Sequence, residues 1–310
     1  MSGQCIGRCA TSNPGASGHV QALEIEEREA GSRLDRVLCE RLGMSRAEAK
    51  RLFAGGEVRR NGRRADKGEV VSRGDRIELG SGLSDPRARA DGQVSFRVVL
   101  EDAHLVVVDK PAGVPCHPLR PGELGCLANG LVAQYPEMEQ IGYDLRQPGL
   151  VNRLDNDTSG LVLAARTDKA FARLRAMLEQ GEISKTYLAL VERPIPVQSI
   201  DLALSPSSRH RSRVEISALG RPALSVVERC WPHGRYYLVQ VRAPKAYRHQ
   251  VRAHLAAVGA PIVGDTIYGG GDGLRHYLHA AEMRFWHPIS GEPLELSAPL
   301  PGDWPDSDSP

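Results

Sequence analysis

The segment VNRLDNDTSG, residues 151–160, concentrates reactive residue types on a short stretch. A carboxylate, Asp155, stands two positions after Arg153 and is followed by small polar residues and Gly160. A carboxylate serves as nucleophile, acid or base, and a guanidinium nearby favours its ionised, nucleophilic form. The surrounding composition suits an exposed reactive loop. Taken alone, however, an Arg-x-Asp pair before Thr-Ser-Gly is more often an ordinary capped turn, so the rest of the chain must decide.

Other chemistries read less well. Asp155 and Asp157 offer paired acids for sugar hydrolysis, but acids so close on one loop cannot readily flank a glycosidic bond, and Asp157 is more simply a turn residue. His249, His254, His276 and His279 lie in two neighbouring segments. The spacing puts His249 and His254 on different helix faces, and Arg248 and Arg252 repel a cation, which disfavours a metal centre. Cys5, Cys9, Cys39, Cys116, Cys126 and Cys230 form no CxxC pair, so neither a disulfide framework nor a zinc site is expected. GGGDG at 269–273 lacks the lysine and Ser/Thr of a phosphate loop. No metal and no cofactor is expected.

The elements that position Asp155 are legible in outline. HLVVVDKPAG reads as a buried strand entering a turn, and GLVLAA as a second apolar strand. Asp168 is expected to cap a helix that turns Ala170, Phe171, Leu174, Met177 and Leu178 inward and stops at Gly181, before TYLALV resumes strand character. YYLVQVRA and LELSAP add strands, and HQVRAHLAAVG a helix closed by Gly259. The mixture predicts an α+β fold, a mixed sheet with helices packed against it.

Upstream lies a different kind of sequence. Between Gly31 and Arg76 there are 13 Lys/Arg against 7 Asp/Glu, a local +6 within a chain of +2, so the remainder stands near −4. Leu34, Val37, Leu38 and Leu42 have helical spacing behind Ser32, an expected N-cap, and stop at Gly43. Ser45 with Glu48 predicts a capping box for a second helix. VRRNGRR and VVSRGDRIEL then read as short strands joined by tight turns, the first at Asn61-Gly62. The 310 residues thus divide into an expected disordered tail (1–30), a basic domain (31–80), a linker (81–93), a large domain (94–300) and an acidic tail (301–310). No run approaches the roughly 18 apolar residues of a membrane span, and the N-terminus lacks a secretory layout, so a cytoplasmic protein is expected.

The segment SRLDRVLCERLGMSRAEAKRLFAGGEVRRNGRRADKGEVVSRGDRIEL resembles the small RNA-binding domain shared by a ribosomal small-subunit protein and tyrosyl-tRNA synthetase. Arg60 departs from it, standing where an apolar strand residue is usual. Arg46, Lys50, Arg51, Arg59, Arg63 and Arg64 are expected to form one phosphate-facing side.

The reactive segment itself resembles the HRLDxxTSG motif of the RluA family of pseudouridine synthases. DKPAGVPCHP (109–118), SKTYLALV (184–191) and RHQVRAHLAAVGAPIVGDTIYG (248–269) follow the family order. The resemblance implies the pseudouridine synthase fold preceded by a helix-helix-sheet RNA-binding domain, and a reaction without cofactor. Uridine is detached from its sugar, turned and rejoined through carbon 5.

By the same resemblance Asp155 is the catalytic aspartate and Arg153 enters the space left by the flipped nucleotide. Tyr187 packs on the uracil and assists proton removal from carbon 5, Arg252 pairs with Asp155, and Ile262 walls the base pocket. Asn152 departs from the family, replacing the usual histidine. Ribosomal RNA of the large subunit is the expected partner, with transfer RNA the alternative substrate, and a monomer is expected. The competing reading is a non-catalytic RNA-binding or RNA-chaperone protein on a synthase scaffold.

Overall fold

The computed structural model describes residues 21–80, 87–208, 210 and 212–305, in two units spanning 1–86 and 87–310. The first unit contains β1 (Gln21–Glu24), α1 (Leu34–Leu42), α2 (Arg46–Gly55), β2 (Val58–Arg60), β3 (Arg63–Arg64) and β4 (Arg76–Leu79), with sheet order β1-β4-β2-β3. The capping box forms as expected: Glu48 N–H donates to Ser45 Oγ and Ser45 N–H to the Glu48 carboxylate. Both helices end at glycines in the left-handed region, Gly43 and Gly56. Asn61 and Gly62 adopt φ of 50° and 80°, as a tight hairpin between β2 and β3 requires.

Two expectations need correction in this unit. The N-cap of α1 is Arg33 rather than Ser32. The backbone of Arg33 bridges to Val70 and its guanidinium pairs with Asp35. The expected disordered tail is also too long. β1 pairs along β4, and Ile25 is buried with Leu34 and Ile77, because β4 offers an open edge and the core needs a lid there. Two apolar residues, Leu23 and Ile25, are too short a pattern to stand out in sequence. Residues 1–20 lie outside the described residues.

In the second unit come β5 (Arg97–Glu101), β6 (Leu105–Lys110), α3 (Leu127–Gln134), β7 (Ser159–Ala165), α4 (Asp168–Gln180), β8 (Ser184–Val191), β9 (Gln198–Asp201), β10 (Leu204–Pro206) and β11 (Val214–Ile216). After them follow β12 (Leu224–His233), β13 (Tyr236–Arg242), α5 (Gln250–Ala257), β14 (Leu278–Trp286) and β15 (Pro293–Ser297). The main sheet runs β5-β6-β7-β14-β8-β13-β12-β9, with β15 on β14, while β10 and β11 form a separate ribbon. Only the β7–β14 pairing is parallel among its described pairs, so the sheet is mixed.

β6 and β7 read as continuous apolar runs because both faces of the sheet are covered. Val106, Val108, Val162 and Ala164 pack under α3, whereas Leu105, Val107, Leu161 and Leu163 pack under α4. α4 is capped by Thr167, whose hydroxyl accepts from Ala170 N–H, one residue before the expected Asp168. Gly160 lets β7 reach β14. Its φ is +109°, and a Cβ there would sit 2.3 Å from the Ala280 carbonyl oxygen.

The expected linker and acidic tail are both shorter than their compositions suggest. Ala88 is buried against Val106 and Leu127, and Asp91 accepts from Gly125 N–H, so residues 87–93 belong to the second unit. At the other end Trp304 is buried and Asp303 pairs with Arg275. Apolar anchors between polar residues produce the docking that composition hides. Residues 81–86 and 306–310 lie outside the described set.

Candidate active site

The loop carrying Asp155 is held from both flanks. Lys110, at the end of β6, has no exposed surface, and its Nζ donates to the carbonyls of Pro111, Val114 and Asn156 at 2.8, 2.7 and 2.9 Å. That ammonium ties the turn after β6 to the reactive loop, although burial lowers its pKa to about 8. Leu154, the neighbour of Asp155, donates its N–H to Cys116 Sγ at 3.2 Å. On the far side Arg275 Nη1 donates to the Asp157 carbonyl at 3.0 Å, and Thr158 Oγ1 lies 2.8 Å from His276 Nε2. Such bracing is what a preorganised carboxylate needs.

Asn152 belongs to this bracing. Its Oδ1 accepts from Leu163 N–H in β7 at 2.8 Å, so the residue that departs from the motif pins the start of the reactive segment to the sheet.

Arg252 arrives from α5, which is entered through His249 in a left-handed conformation (φ 55°). Its Nη1 donates to Asp155 Oδ2 at 2.7 Å, while Nε and Nη2 donate to Asp265 at 2.7 and 2.8 Å. Burial alone would lower the pKa of Arg252, but Asp265 and Asp155 together raise it above its ordinary value. Burial pushes the Asp265 carboxyl up, and the bidentate guanidinium more than offsets this and holds it below the usual range. Asp265 therefore fixes the plane of Arg252 and leaves one edge for Asp155.

Tyr187, on β8, is buried. Burial first, and the Asp155 charge second, raise its phenol well above the ordinary value. Lys185 lies two residues earlier and lines the same cleft, with burial lowering its pKa to about 8. Asp155, Arg252, Tyr187 and Arg153 all line one cleft of about 980 Å3, whose wall carries four arginines and one lysine against two aspartates. That balance suits a polyanionic substrate. Arg153 is exposed and donates to Gln147 at 3.1 Å.

Ile262 does not wall the cleft. It is fully buried beneath it, packed in the cluster that includes Tyr187 and Val191, and its backbone bridges to Val191. An apolar side chain in PIVGD was drawn into the core, and the residue of that segment that serves the site is Asp265. A lone acid in an apolar stretch was the available signal.

Of the four histidines near the two C-terminal motifs, His254 and His279 are committed to the interior. His254 meets Ser225 Oγ and the Leu202 carbonyl, each at 2.9 Å, and His279 meets Ser159 Oγ at 2.9 Å.

In the first unit Arg46, Lys50 and Arg51 are exposed along α2. Arg59 donates to the Gly62 carbonyl, and Arg64 to the carbonyls of Phe53 and Ala54. Arg63 is paired with Glu69 at 2.7 Å, a carboxylate it shares with Arg60, and its side chain stays largely exposed. Arg60 is tolerated at its strand position because Asp75 and Glu69 accept its guanidinium at 2.6 and 3.2 Å.

A braced carboxylate paired with arginine inside a positively lined cleft defines an enzyme suited to acting on nucleic acid. The family model described as RNA pseudouridylate synthase matches residues 104–257, and that of the S4 domain matches residues 32–77. An RNA pseudouridine synthase of Chloroflexus aurantiacus is 37% identical over 299 residues, covering 92% of this chain and 94% of that protein. Ribosomal large subunit pseudouridine synthase D of Vibrio parahaemolyticus is 30% identical over 301 residues, covering 90% of each. Among solved structures, human RNA pseudouridylate synthase domain containing 1 has a TM-score of 0.52 at 25% identity, over 66% of this chain and 83% of that one. The chain belongs to the RNA pseudouridine synthase family, in its RluA group with an N-terminal S4 domain.

Proposed function

We propose that this protein isomerises particular uridines of large-subunit ribosomal RNA to pseudouridine, in the cytoplasm. The observation that carries the reading is the 2.7 Å hydrogen bond between Arg252 and Asp155 in a positively lined cleft. Relatives named for the ribosomal large subunit support the choice of RNA. Asp155 acts as the nucleophile or charge stabiliser that frees the base from its sugar. Arg252 orients it, and Tyr187 packs against the flipped uracil. Arg153, exposed beside the cleft, fills the gap left in the stack, where flipping costs a few kcal/mol. The S4 domain adds affinity through Arg46, Lys50, Arg51, Arg59 and Arg64.

Release of tritium from RNA labelled at carbon 5 of uridine tests this, with wild-type protein and Asp155→Ala compared on large-subunit rRNA and on tRNA. Release by wild type alone, from rRNA, is expected. Release only from tRNA would move the substrate class. Release by both proteins would remove Asp155 from its role, and none from either RNA would favour a non-catalytic RNA-binding protein.

A further inference from the structure

Conversion of uridine to its C5-linked isomer breaks N1–C1′ and forms C5–C1′. It also exchanges protons, because carbon 5 loses one and N1 gains one. Once C5–C1′ has formed, an acceptor must take the carbon-5 proton. Tyr187 is poorly suited to this. Its phenol is buried, and both burial and the neighbouring Asp155 charge keep it protonated.

His249 lines the same cleft, and its Nε2 lies 3.7 Å from Asp155 Oδ2, beyond hydrogen-bond reach. Its Nδ1 lies 3.2 Å from the Tyr268 hydroxyl. That hydroxyl has one proton, and Val214 sets its direction. The Val214 carbonyl accepts from Tyr268 at 3.1 Å, and Val214 N–H donates to it at 3.0 Å. Ser207 N–H donates to the Arg213 carbonyl, so Val214, opposite Pro206, stands at a non-hydrogen-bonded position of the β10–β11 ribbon and its own N–H and C=O face away from β10. With its proton given to Val214, Tyr268 has only a lone pair for His249. Nδ1 must therefore carry the imidazole proton, and Nε2 keeps its lone pair on the cleft side.

We propose that His249 Nε2 is the base that removes the carbon-5 proton, in the tautomer set by Tyr268 and Val214. The step balances without an outside reagent. The C5–H pair forms C5=C6, the C6=N1 pair moves onto N1, and N1 takes a proton from the new imidazolium or from water. The imidazolium forms beside Asp155, which stabilises it. The charged and titratable groups around His249 are Asp155, Arg252, Arg248, Asp265 and Tyr268. Burial is the largest influence and lowers the imidazole, with Asp155 and Asp265 opposing and the two arginines assisting, a balance that favours the neutral ring. The left-handed backbone at His249, uncommon for a residue other than glycine, is the kind of local strain that persists where a side chain must be aimed.

The proposal rests on the synthase reading, and the test separates the two. Asn tolerates the left-handed backbone and can still donate to Tyr268, but it has no basic lone pair. His249→Asn is compared with wild type on RNA carrying uridine, 5-deuterouridine or 5-fluorouridine, the last having no carbon-5 proton to remove. Pseudouridine formation is expected to fall by about 10²–10⁴-fold, the range for losing a general base. A deuterium isotope effect larger than wild type and little loss of 5-fluorouridine rearrangement are expected alongside it. Tyr268→Phe should show the same pattern more weakly. Equal losses on uridine and 5-fluorouridine RNA, or an unchanged uridine rate, would overturn the assignment. Failure of wild type on uridine RNA would count against the synthase reading instead.

Discussion

Arg252 Nη1 and Asp155 Oδ2 meet at 2.7 Å although 97 positions separate the residues in the chain. The pairing is possible because Asp265 takes the other two guanidinium nitrogens, so Arg252 reaches Asp155 in one orientation. Arg252→Lys keeps the charge but offers no planar fork to serve two carboxylates. Its kcat on RNA is expected to fall by about 10²-fold or more, the scale of losing a preorganised electrostatic interaction, with KM less affected. Single-turnover assays at saturating RNA give that split. Wild-type kcat in this variant would show that the fork is dispensable.

Asn152 is predicted to matter as a pin. Asn152→Asp retains an oxygen for Leu163 N–H and should cost little stability. Asn152→Ala leaves that N–H without its partner and should cost about 1–3 kcal/mol. Urea melts of the two variants compare them directly, and equal midpoints would deny Asn152 this role.

His276 links stability to pH. Burial, with Arg252 assisting, lowers its pKa to about 4, whereas an unfolded chain titrates near the ordinary 6.5. Between these values the unfolded state binds the extra proton. The contribution is thus complete above pH 6.5 and is lost as pH falls towards 4, by up to about 3 kcal/mol. His276→Gln should flatten that part of the stability–pH curve measured by denaturant titration. A variant curve parallel to wild type would show that other groups drive the acid loss.

The exposed basic side chains of the S4 domain make an electrostatic prediction. Charge reversal of Arg46, Lys50 and Arg59 should weaken RNA binding and reduce the slope of log K against log salt by about one for each phosphate no longer neutralised. Circular dichroism should remain as in wild type. A binding series unchanged at every salt concentration would place the RNA elsewhere.

Much of the site was written locally. Asp155, Arg153, Tyr187 and Arg252 stand in short motifs, and turns such as Asn61-Gly62 or the Ser45–Glu48 box follow from chemistry within four residues. Local composition misled where a few apolar anchors outweigh polar neighbours. Ala88 in the expected linker and Trp304 in the expected tail are both buried in the second unit. Ile262 misled for the opposite reason, since an apolar residue beside a glycine fits a core and a pocket wall equally well.

By itself, then, the sequence determined the reaction family, the basic character of the first domain and the acid at the centre, because these depend on residue types at short, fixed spacings. Only the tertiary structure decided which groups surround that acid. Asp265 as the second partner of Arg252, and Tyr268 beside His249 Nδ1, each depend on side chains from separate segments meeting within hydrogen-bond distance. Spacing along the chain holds no record of those meetings, because the sheet and α5 create them only on folding.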